Sequence, residues 1–451
     1  MIFFRVTHNI NIKTTDGTLV KYLKFKGPSN LNNETVYITT ADDFEDIKTV
    51  FKNVDEVKYQ ARLLKEDRVR ILEDFPIELG ISNENEYLNS ITHNEKTKDR
   101  LLKDEEGIKS FLQSNERVDL YKQLKINKDE VSIAVIGSLG KTIGEMIASS
   151  TALRILYNKL SEVYKKVKID LYIEASNNSF YSRDREIYKK QKFVNFVFPL
   201  SITSEKLCEY DYFIDSSSVR EKSSYYKELN FVDAWLYKFG LDYKKVPDYE
   251  KYNEIDMSRF TPSDELKEKI QNAKLKGKLL LFHPYTAQID NSIPQEQAVA
   301  ILKKLIKKVD DYVIVTTLKI DSKNRDDIID FSKESTSFND FTYIISNMDA
   351  IITAQTSTFH IADAFMIPTV AIFTNDDIDR KIKYYNYVKA VKVQDESKSF
   401  SHFVFENDAL TFYKFESWKK LKISKIMKLL ESFWYNLAFL NEGLIWILYL
   451  F

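Results

Sequence analysis

Two apolar, uncharged runs, 350–352 and 369–373, stand out along the chain because they are rich in β-branched residues. Such runs predict buried strands of a parallel sheet. Between them a polar loop, Gln355-Thr-Ser-Thr358, leads directly into a predicted helix at 359–365. A helix that begins at the carboxyl edge of a sheet presents backbone N–H groups to an anion such as phosphate, and His360 would add a ring N–H. The same pattern also fits a plain βαβ crossover with a capped helix.

Strands alternate with helices over the last two thirds of the chain. In the first half of this region we predict strands at 132–136, 168–173, 193–198 and 212–214, and a helix that ends near 164. In the second half we predict strands at 279–282, 312–316, 341–345, 350–353 and 369–373, and a helix at 294–308. This alternation predicts two doubly wound parallel sheets with a ligand cleft between them.

The first 130 residues follow another pattern. Residues 3–25 alternate apolar and polar positions around Thr15-Asp-Gly17, which predicts a hairpin. Short strands at 36–39 and 57–59 and a helix near 42–51 complete an α+β module. We therefore predict an N-terminal module (1–80), a polar connector (81–130), two doubly wound domains (131–260 and 261–400) and a helical tail (401–451).

Composition excludes several functional classes. A net charge of −1 gives no attraction to nucleic acid, so we predict no nucleic-acid partner. The single cysteine, Cys208, rules out an internal disulfide framework. Because the first residues also lack the features of a signal peptide, we expect a cytoplasmic protein. The five histidines show no paired ligand spacing, and we predict neither a metal nor a cofactor.

Residues 279–373 resemble the nucleotide-binding half of the heptosyltransferase-like glycosyltransferases, family 9 of the GT-B fold. The run Gln355-Thr-Ser-Thr-Phe-His-Ile-Ala-Asp-Ala364 is similar to the family's Asp-Ser-Gly-x-x-His-Leu-Ala-x-Ala motif, whose loop and helix start hold the donor diphosphate. Leu280-Leu-Phe-His-Pro-Tyr-Thr286 is similar to the segment that opens that half. The resemblance extends more weakly over about 131–395. It implies a Rossmann-like acceptor domain followed by a Rossmann-like donor domain.

The resemblance implies an inverting, metal-independent transferase. Such an enzyme would move a sugar, for example a heptose or a hexose, from a nucleotide-sugar to a hydroxyl of a glycan, lipid-linked glycan or protein acceptor. The implied donor-binding residues are Tyr285, Thr286, Thr356, Ser357, Thr358 and His360. The register of the family's Gly-Asp pair places Glu145 at the catalytic base, which takes the proton of the acceptor hydroxyl. The family's donor-phosphate lysine has no counterpart here, and Lys141 or Arg380 would replace its charge.

Two alternatives stay open at this point. The family's acidic residue is Gln355 here and its catalytic aspartate is a glutamate, which is compatible with a non-catalytic GT-B-like module that binds a glycan or a protein. In addition, Gly137-Ser-Leu-Gly-Lys-Thr142 resembles a P-loop, and more closely the Gly-x-x-Gly-Lys-Thr of the Mur peptide ligases. On that interpretation the protein is an ATP-dependent ligase or P-loop NTPase, and Lys141 binds phosphate.

The tail combines lysines at 419–428 with an aromatic segment at 432–451. Asn436, Asn441 and Glu442 disfavour a transmembrane helix of this short length. Residues 429–451 are typical either of an interfacial helix on the inner face of a bacterial membrane or of a helix buried in the partner domain or an oligomer interface. We therefore predict contact of this segment with a membrane surface or with another protein surface.

Overall fold

The computed structural model describes most of the chain outside the predicted connector. The described residues are 2–24, 36–52, 54–56, 70–71, 124, 128–176, 178–207, 209–216, 226, 228–256, 260–286, 291–309, 311–317, 328–374, 378–393 and 418–433. They belong to two compact units, Met1–Lys251 and Tyr252–Phe451. The strand expected at 57–59, nearly all of the connector and residues 434–451 of the tail lie outside the described residues. The predicted domain boundaries stay a prediction.

The first unit contains a small antiparallel part and a larger parallel sheet. Its strands are β1 (Ile2–Val6), β2 (Ile10–Lys13), β3 (Leu19–Tyr22), β4 (Tyr37–Thr39), β5 (Val54–Glu56), β6 (Arg70–Ile71), β7 (Glu130–Ile136), β8 (Lys166–Ile173), β9 (Phe196–Pro199), β10 (Ile202–Thr203) and β11 (Tyr212–Asp215). Its helices are α1 (Ala41–Val50), α2 (Ile143–Ser161), α3 (Tyr181–Lys189), α4 (Ser204–Leu207) and α5 (Phe231–Lys238), with a 3₁₀ turn at Asp248–Glu250.

The antiparallel sheet of the first unit has the order β10-β4-β1-β5, and β2 and β3 form the predicted hairpin. Gly17, at φ +82°, closes the turn of that hairpin. The parallel sheet has the order β6-β11-β7-β8-β9. Val36 and Ile38 of the antiparallel part share one core with Ala134 and Ile136 of the parallel sheet. The N-terminal module is thus a layer on one face of this sheet.

The second unit is built on a six-stranded parallel sheet. Its strands are β12 (Lys278–His283), β13 (Tyr312–Thr316), β14 (Ile328–Asp330), β15 (Ala350–Ala354), β16 (Thr369–Phe373) and β17 (Val388–Lys392). Its helices are α6 (Asp264–Lys274), α7 (Gln295–Ile306), α8 (Phe338–Ser346), α9 (Ser357–Ala364) and α10 (Ile378–Ile382). The strand order is β14-β13-β12-β15-β16-β17. The chain therefore starts in the middle, runs to one edge, and then returns to build the other half.

Helices cover both faces of this second sheet. On one face α7 packs against Phe282 and Ile372, and on the other Phe359 of α9 packs against Ala371 and Phe373. The prediction of an α/β fold with two parallel sheets and an additional N-terminal α+β part is confirmed.

One predicted element is wrong, because residues 341–345 are helical and not a strand. They belong to α8, whose N-cap Ser337 accepts a hydrogen bond from the N–H of Asp340 at 3.1 Å. Phe338, Thr342 and Ile345 are buried at helical spacing, so the apolar stripe follows a period near 3.6. The strands β14 and β17 were not predicted.

The described part of the tail belongs to the core of the second unit. Residues 423–433 are helical. Trp418, Ile426 and Leu430 are buried in one cluster with strands β12, β15 and β16, and Phe433 is 6% exposed. Lys389 of β17 lies over the ring of Phe433 at 4.0 Å. Among the described residues, none of the helices has the length and hydropathy needed to span a bilayer.

This packing predicts different outcomes for two truncations of the tail. A chain that ends after Lys428 loses Leu430 and Phe433 from the core, and removal of each such side chain costs about 2–5 kcal/mol. We expect a strongly lowered melting temperature and aggregation, measured by thermal unfolding and light scattering. The control is a chain that ends after Phe433, which retains every buried residue described here and should unfold near the wild-type temperature. Equal behaviour of the two truncations would contradict the assignment of 429–433 to the core.

Candidate donor site and catalytic loop

The start of α9 lies where the strand order of the second sheet reverses. Strands β12 and β15 are hydrogen-bonded neighbours, with His283 paired with Thr353. The loop after His283 and the loop after Ala354 therefore leave the same edge of the sheet side by side. In open α/β sheets, ligands bind at the carboxyl ends of the strands at such a reversal point. The loop predicted from the sequence to bind an anion occupies this position.

The N-terminus of α9 has no side-chain cap. Thr356 is the N-cap residue, but its hydroxyl accepts no hydrogen bond from the helix and lies 3.5 Å from the hydroxyl of Ser357. By contrast, Thr142, Ser263 and Ser337 each accept a bond from the helix that they precede. The first N–H groups of a helix have no partner within the helix. At the start of α9, the side chain of Thr356 does not accept a hydrogen bond from these N–H groups.

Two buried polar side chains in this loop also have no partner among the described residues. The hydroxyl of Thr358 is in a fully buried side chain, and the amide oxygen of Gln355 is in a residue only 7% exposed. A buried polar atom without a hydrogen bond costs about 1–3 kcal/mol. Both atoms lie at the start of α9, where a ligand would supply the missing partners.

His360 is neutral and hydrogen-bonded to Tyr385. The distance from His360 Nδ1 to the Tyr385 hydroxyl is 2.5 Å. Burial, with a smaller contribution from the charge of Lys381, lowers the pKa of His360 to about 3, while burial holds the pKa of Tyr385 far above its usual value. We assign the protonated phenol as the donor to Nδ1, which places the imidazole proton on Nε2. His360 can thus donate one hydrogen bond but carries no positive charge.

Asp363 fixes the position of α9. Its carboxylate accepts hydrogen bonds from Asn253 Nδ2 at 3.0 Å and from the backbone N–H of Tyr387 at 3.1 Å. Burial raises the pKa of Asp363 to about 7. Sequence reasoning missed Asp363 and Tyr385. An aspartate within the otherwise apolar Ile361–Ala364 run was the available signal for the first of them.

The remaining predicted donor-site residues lie at the same edge of the second sheet. Tyr285 follows β12 and packs partly buried against the core. The backbone N–H of Thr286 donates to Ser292 Oγ at 2.9 Å, which shapes the loop. Arg380 is in the short helix α10, which follows β16. The structure thus gathers Tyr285, Thr286, Thr356, Ser357, Thr358, His360 and Arg380 in loops and helices that follow three adjacent strands.

In the first unit, the N-terminus of α2 is closed by its own side chains. Glu145 Oε2 accepts the backbone N–H groups of Lys141 and Thr142, both at 3.0 Å, while Thr142 Oγ1 accepts the N–H of Glu145 at 3.3 Å. This is a capping box. Gly140 is at φ +136°, and a Cβ there would lie 2.8 Å from that of Glu145, so only glycine fits.

The capping box explains the position of the Glu145 side chain and of the Lys141 backbone. It shows no catalytic or phosphate-binding role for either residue. Glu145 is 5% exposed, and one of its oxygens is occupied by two backbone donors. The roles of Glu145 as catalytic base and of Lys141 as phosphate ligand stay predictions. Within the described ranges, no cluster of three or more His, Cys, Asp or Glu side chains is arranged to hold a metal ion.

Comparison with known proteins identifies the class of the second unit. Residues 252–404 match the sequence model of Glycosyltransferase family 9 (heptosyltransferase). This match confirms the resemblance seen in the motif and supports an enzyme of the glycosyltransferase class. The matched range includes α9 and both loops described above. A search of curated proteins gave no match.

Similar solved structures include three bacterial proteins. The ADP-heptose lps heptosyltransferase II of E. coli is 16% identical, with a TM-score of 0.44, over 58% of this chain and 90% of that one. The family 9 glycosyl transferase from Veillonella parvula DSM 2008 is 11% identical, with a TM-score of 0.43, over 67% and 96%. The E. coli heptosyltransferase WaaC with ADP-2-deoxy-2-fluoro heptose is 11% identical, with a TM-score of 0.37, over 58% and 92%.

The contact between His360 and Tyr385 leads to a spectroscopic prediction. In the wild-type protein we expect ¹⁵N chemical shifts of His360 typical of a neutral ring protonated at Nε2 between pH 5 and 8. Tyr385→Phe removes the donor to Nδ1, so the two tautomers should become mixed. His283, which is also buried and neutral with a pKa lowered to about 4, serves as the internal control. A wild-type His360 protonated at Nδ1 would contradict the assigned hydrogen bond.

Proposed function

We propose that the protein transfers a sugar from a nucleotide-sugar to an acceptor hydroxyl and binds the donor diphosphate at the start of α9. The uncapped N-terminus of α9 beside the buried, unpartnered hydroxyl of Thr358 is the observation on which this proposal rests. The proposed diphosphate ligands are the N–H groups and hydroxyls of Thr356, Ser357 and Thr358 and the Nε2–H of His360. The match to the glycosyltransferase family over this segment supports the same assignment.

The residues of this site suit a departing diphosphate. When the bond between the anomeric carbon and the diphosphate breaks, negative charge grows on the phosphate oxygens. Fixed N–H donors and the positive end of the helix dipole stabilise such charge without reorganisation. Arg380 and Lys381 would supply the positive charge that neutral His360 does not. Gln355 Oε1, which is only an acceptor, suits a hydroxyl of the sugar or ribose.

The acceptor and the general base belong to the first unit in this proposal. The base takes the proton of the acceptor hydroxyl, the freed oxygen attacks the anomeric carbon, and the nucleoside diphosphate leaves with the electron pair. We include in the proposal that the transfer is inverting and independent of a metal. The sugar would be a heptose or hexose, and the acceptor a glycan, lipid-linked glycan or protein at the inner face of the membrane. Tyr285 and Thr286 would contact the donor from the neighbouring loop.

The capping box disfavours the P-loop alternative. A Walker-type loop binds phosphate with the free backbone N–H groups that precede its helix. Here the N–H groups of Lys141 and Thr142 donate to Glu145, and the Thr142 hydroxyl caps α2. Nucleotide binding at this loop would require Glu145 to leave the position that closes it.

A thermal-shift screen separates the candidate functions. The protein is heated with ADP-, UDP- or GDP-sugars and, separately, with ATP and magnesium. Because a ligand that binds only the folded state raises the melting temperature, stabilisation by one class of nucleotide-sugar is the expected result. Stabilisation by ATP with magnesium alone would overturn the proposal in favour of the ligase. Binding of a glycan array without any nucleotide response would favour a non-catalytic module.

Ser357→Pro tests the diphosphate site without disturbing the helix. Ser357 is the first residue of α9, a position where proline is well tolerated, and the preceding Thr356 is extended, at φ −138° and ψ 173°. The substitution removes one N–H and one hydroxyl. Loss of a hydrogen bond to a charged group costs about 1.5–3 kcal/mol, so nucleotide affinity should fall by about 10–100-fold in calorimetry, with a melting temperature close to that of the wild type.

The matched control for this variant is Asp264→Pro. Asp264 is the first residue of α6 in the same unit, its side chain is 97% exposed, and the preceding Ser263 is also extended. This proline should leave both the melting temperature and nucleotide affinity unchanged. An unchanged affinity of Ser357→Pro would refute the diphosphate assignment.

A further inference from the structure

A second carboxylate lies close to the loop that Glu145 closes. Glu174 follows β8 directly, at the carboxyl edge of the parallel sheet of the first unit. β8 pairs with β7, and the N–H of Gly137 donates to the carbonyl of Tyr172 at 2.9 Å. The loop that begins at Gly137 therefore lies beside the end of β8. The positive charge of Lys141, in the same loop, acts to lower the pKa of Glu174.

The N-terminal module holds the side chain of Glu174 in place. The hydroxyl of Thr40 donates to Glu174 Oε1 at 2.9 Å, and Thr40 is itself fixed as the N-cap of α1. Oε2 of Glu174 has no hydrogen-bond partner among the described residues. One oxygen is thus positioned by a neutral hydroxyl, and the other is available to accept a proton.

Glu145 differs from Glu174 in this respect. Its Oε2 accepts two backbone N–H groups, and it closes the N-terminus of α2. That oxygen is therefore already engaged by the loop that Glu145 closes.

We propose that Glu174 is the general base of the transfer reaction, positioned by Thr40, and that Glu145 holds the loop 137–142 in shape. This assignment rests on the proposed function. In the reaction, Glu174 Oε2 takes the proton of the acceptor hydroxyl, and the electron pair of that oxygen forms the bond to the anomeric carbon. The bond from that carbon to the diphosphate breaks, and its electron pair leaves with the nucleoside diphosphate. Electrons and protons balance without a further reactant.

The electrostatic surroundings of Glu174 suit this role. Burial raises the pKa of Glu174 to about 7, with the negative charges of Asp43 and Asp42 adding to the effect, while the Thr40 hydrogen bond and Lys141 oppose it. A general base works best when its pKa is near the working pH. Because the group must be ionised to act, turnover should rise about tenfold per pH unit below pH 7 and level off above it.

The experiment measures release of nucleoside diphosphate from the nucleotide-sugar that stabilises the protein in the thermal screen, with water as the acceptor. Glu174→Gln keeps the shape of the side chain but removes the proton acceptor. We expect turnover to fall by about 10²–10⁴-fold with the dissociation constant of the donor nearly unchanged. Glu162→Gln, an exposed glutamate at the C-cap of α2, is the matched control and should keep wild-type turnover.

Asp43→Asn adds a readout that a structural role of Glu174 would not change. The asparagine keeps an acceptor for the Thr39 hydroxyl but removes one negative charge near Glu174. The pKa of Glu174 should therefore fall, and the acidic limb of the turnover profile should move to lower pH. Thr40→Val should lower turnover, and Thr40→Ser, which retains the hydroxyl, should restore it.

The outcomes separate this assignment from the proposed function. If the wild type releases nucleotide and Glu174→Gln does so equally well, Glu174 is not the base, and the proposed function stands. A large loss of turnover in Glu145→Gln, with its melting temperature unchanged, would likewise return the role to Glu145. If the wild type neither binds nor cleaves any nucleotide-sugar, the proposed function fails, and this assignment fails with it.

Discussion

The neighbouring positions of β12 and β15 determine where the candidate donor site forms. These strands are far apart in sequence, with α7, β13, β14 and α8 between them, yet they share a continuous hydrogen-bond ladder in the middle of the second sheet. Because every strand is parallel, the loops after both strands leave the same edge. In open α/β sheets the crevice at such a reversal point is where ligands bind. The buried strands on both sides make this geometry rigid.

In each sheet a helix begins after a strand, and the N-termini of these two helices, α2 and α9, differ in their capping. The first N–H groups of any helix need an acceptor. At α2 the acceptor is the carboxylate of Glu145, whose charge also suits the positive end of the helix dipole. At α9 the side chain of Thr356 does not provide one. The Glu145 side chain thus occupies the helix start in the first loop and no side chain caps the second, although the first has the sequence that looks more like a phosphate loop.

Much of the second sheet was predictable from the sequence, because residues 279–282 of β12 and the strands β15 and β16 are uncharged apolar runs. The helix α8 was misread because Phe341-Thr-Tyr-Ile-Ile345 has the β-branched and aromatic composition of a strand, and tertiary packing decided otherwise. β17 alternates lysine with small apolar residues and carries only a weak signal. The loop from Gln355 to Thr358 was found because its motif is local in sequence.

The partners that give the candidate site residues their chemistry were not predictable, because they are distant in sequence. Tyr385 approaches His360 only after β16 and α10 return the chain to the edge of the sheet. Glu174 meets Thr40 across 134 positions of the sequence. No period or motif encodes such a pair. Only the folded chain shows that His360 is buried against Tyr385 and that Glu174 is positioned by another part of the unit.

The N-terminal module is integral to the first unit. Tyr22 donates to the carbonyl of Leu200 at 2.9 Å, Arg185 pairs with Asp16 at 2.7 Å, and β10 extends the module's own sheet. Without the module, one apolar face of the parallel sheet would be exposed to water, which a stable domain avoids. The contact of Thr40 with Glu174 depends on the same packing. The N-terminal module therefore buries one face of the parallel sheet and also orients the Glu174 side chain at the edge of that sheet. The stability of the first unit and its proposed chemistry depend on the same interface.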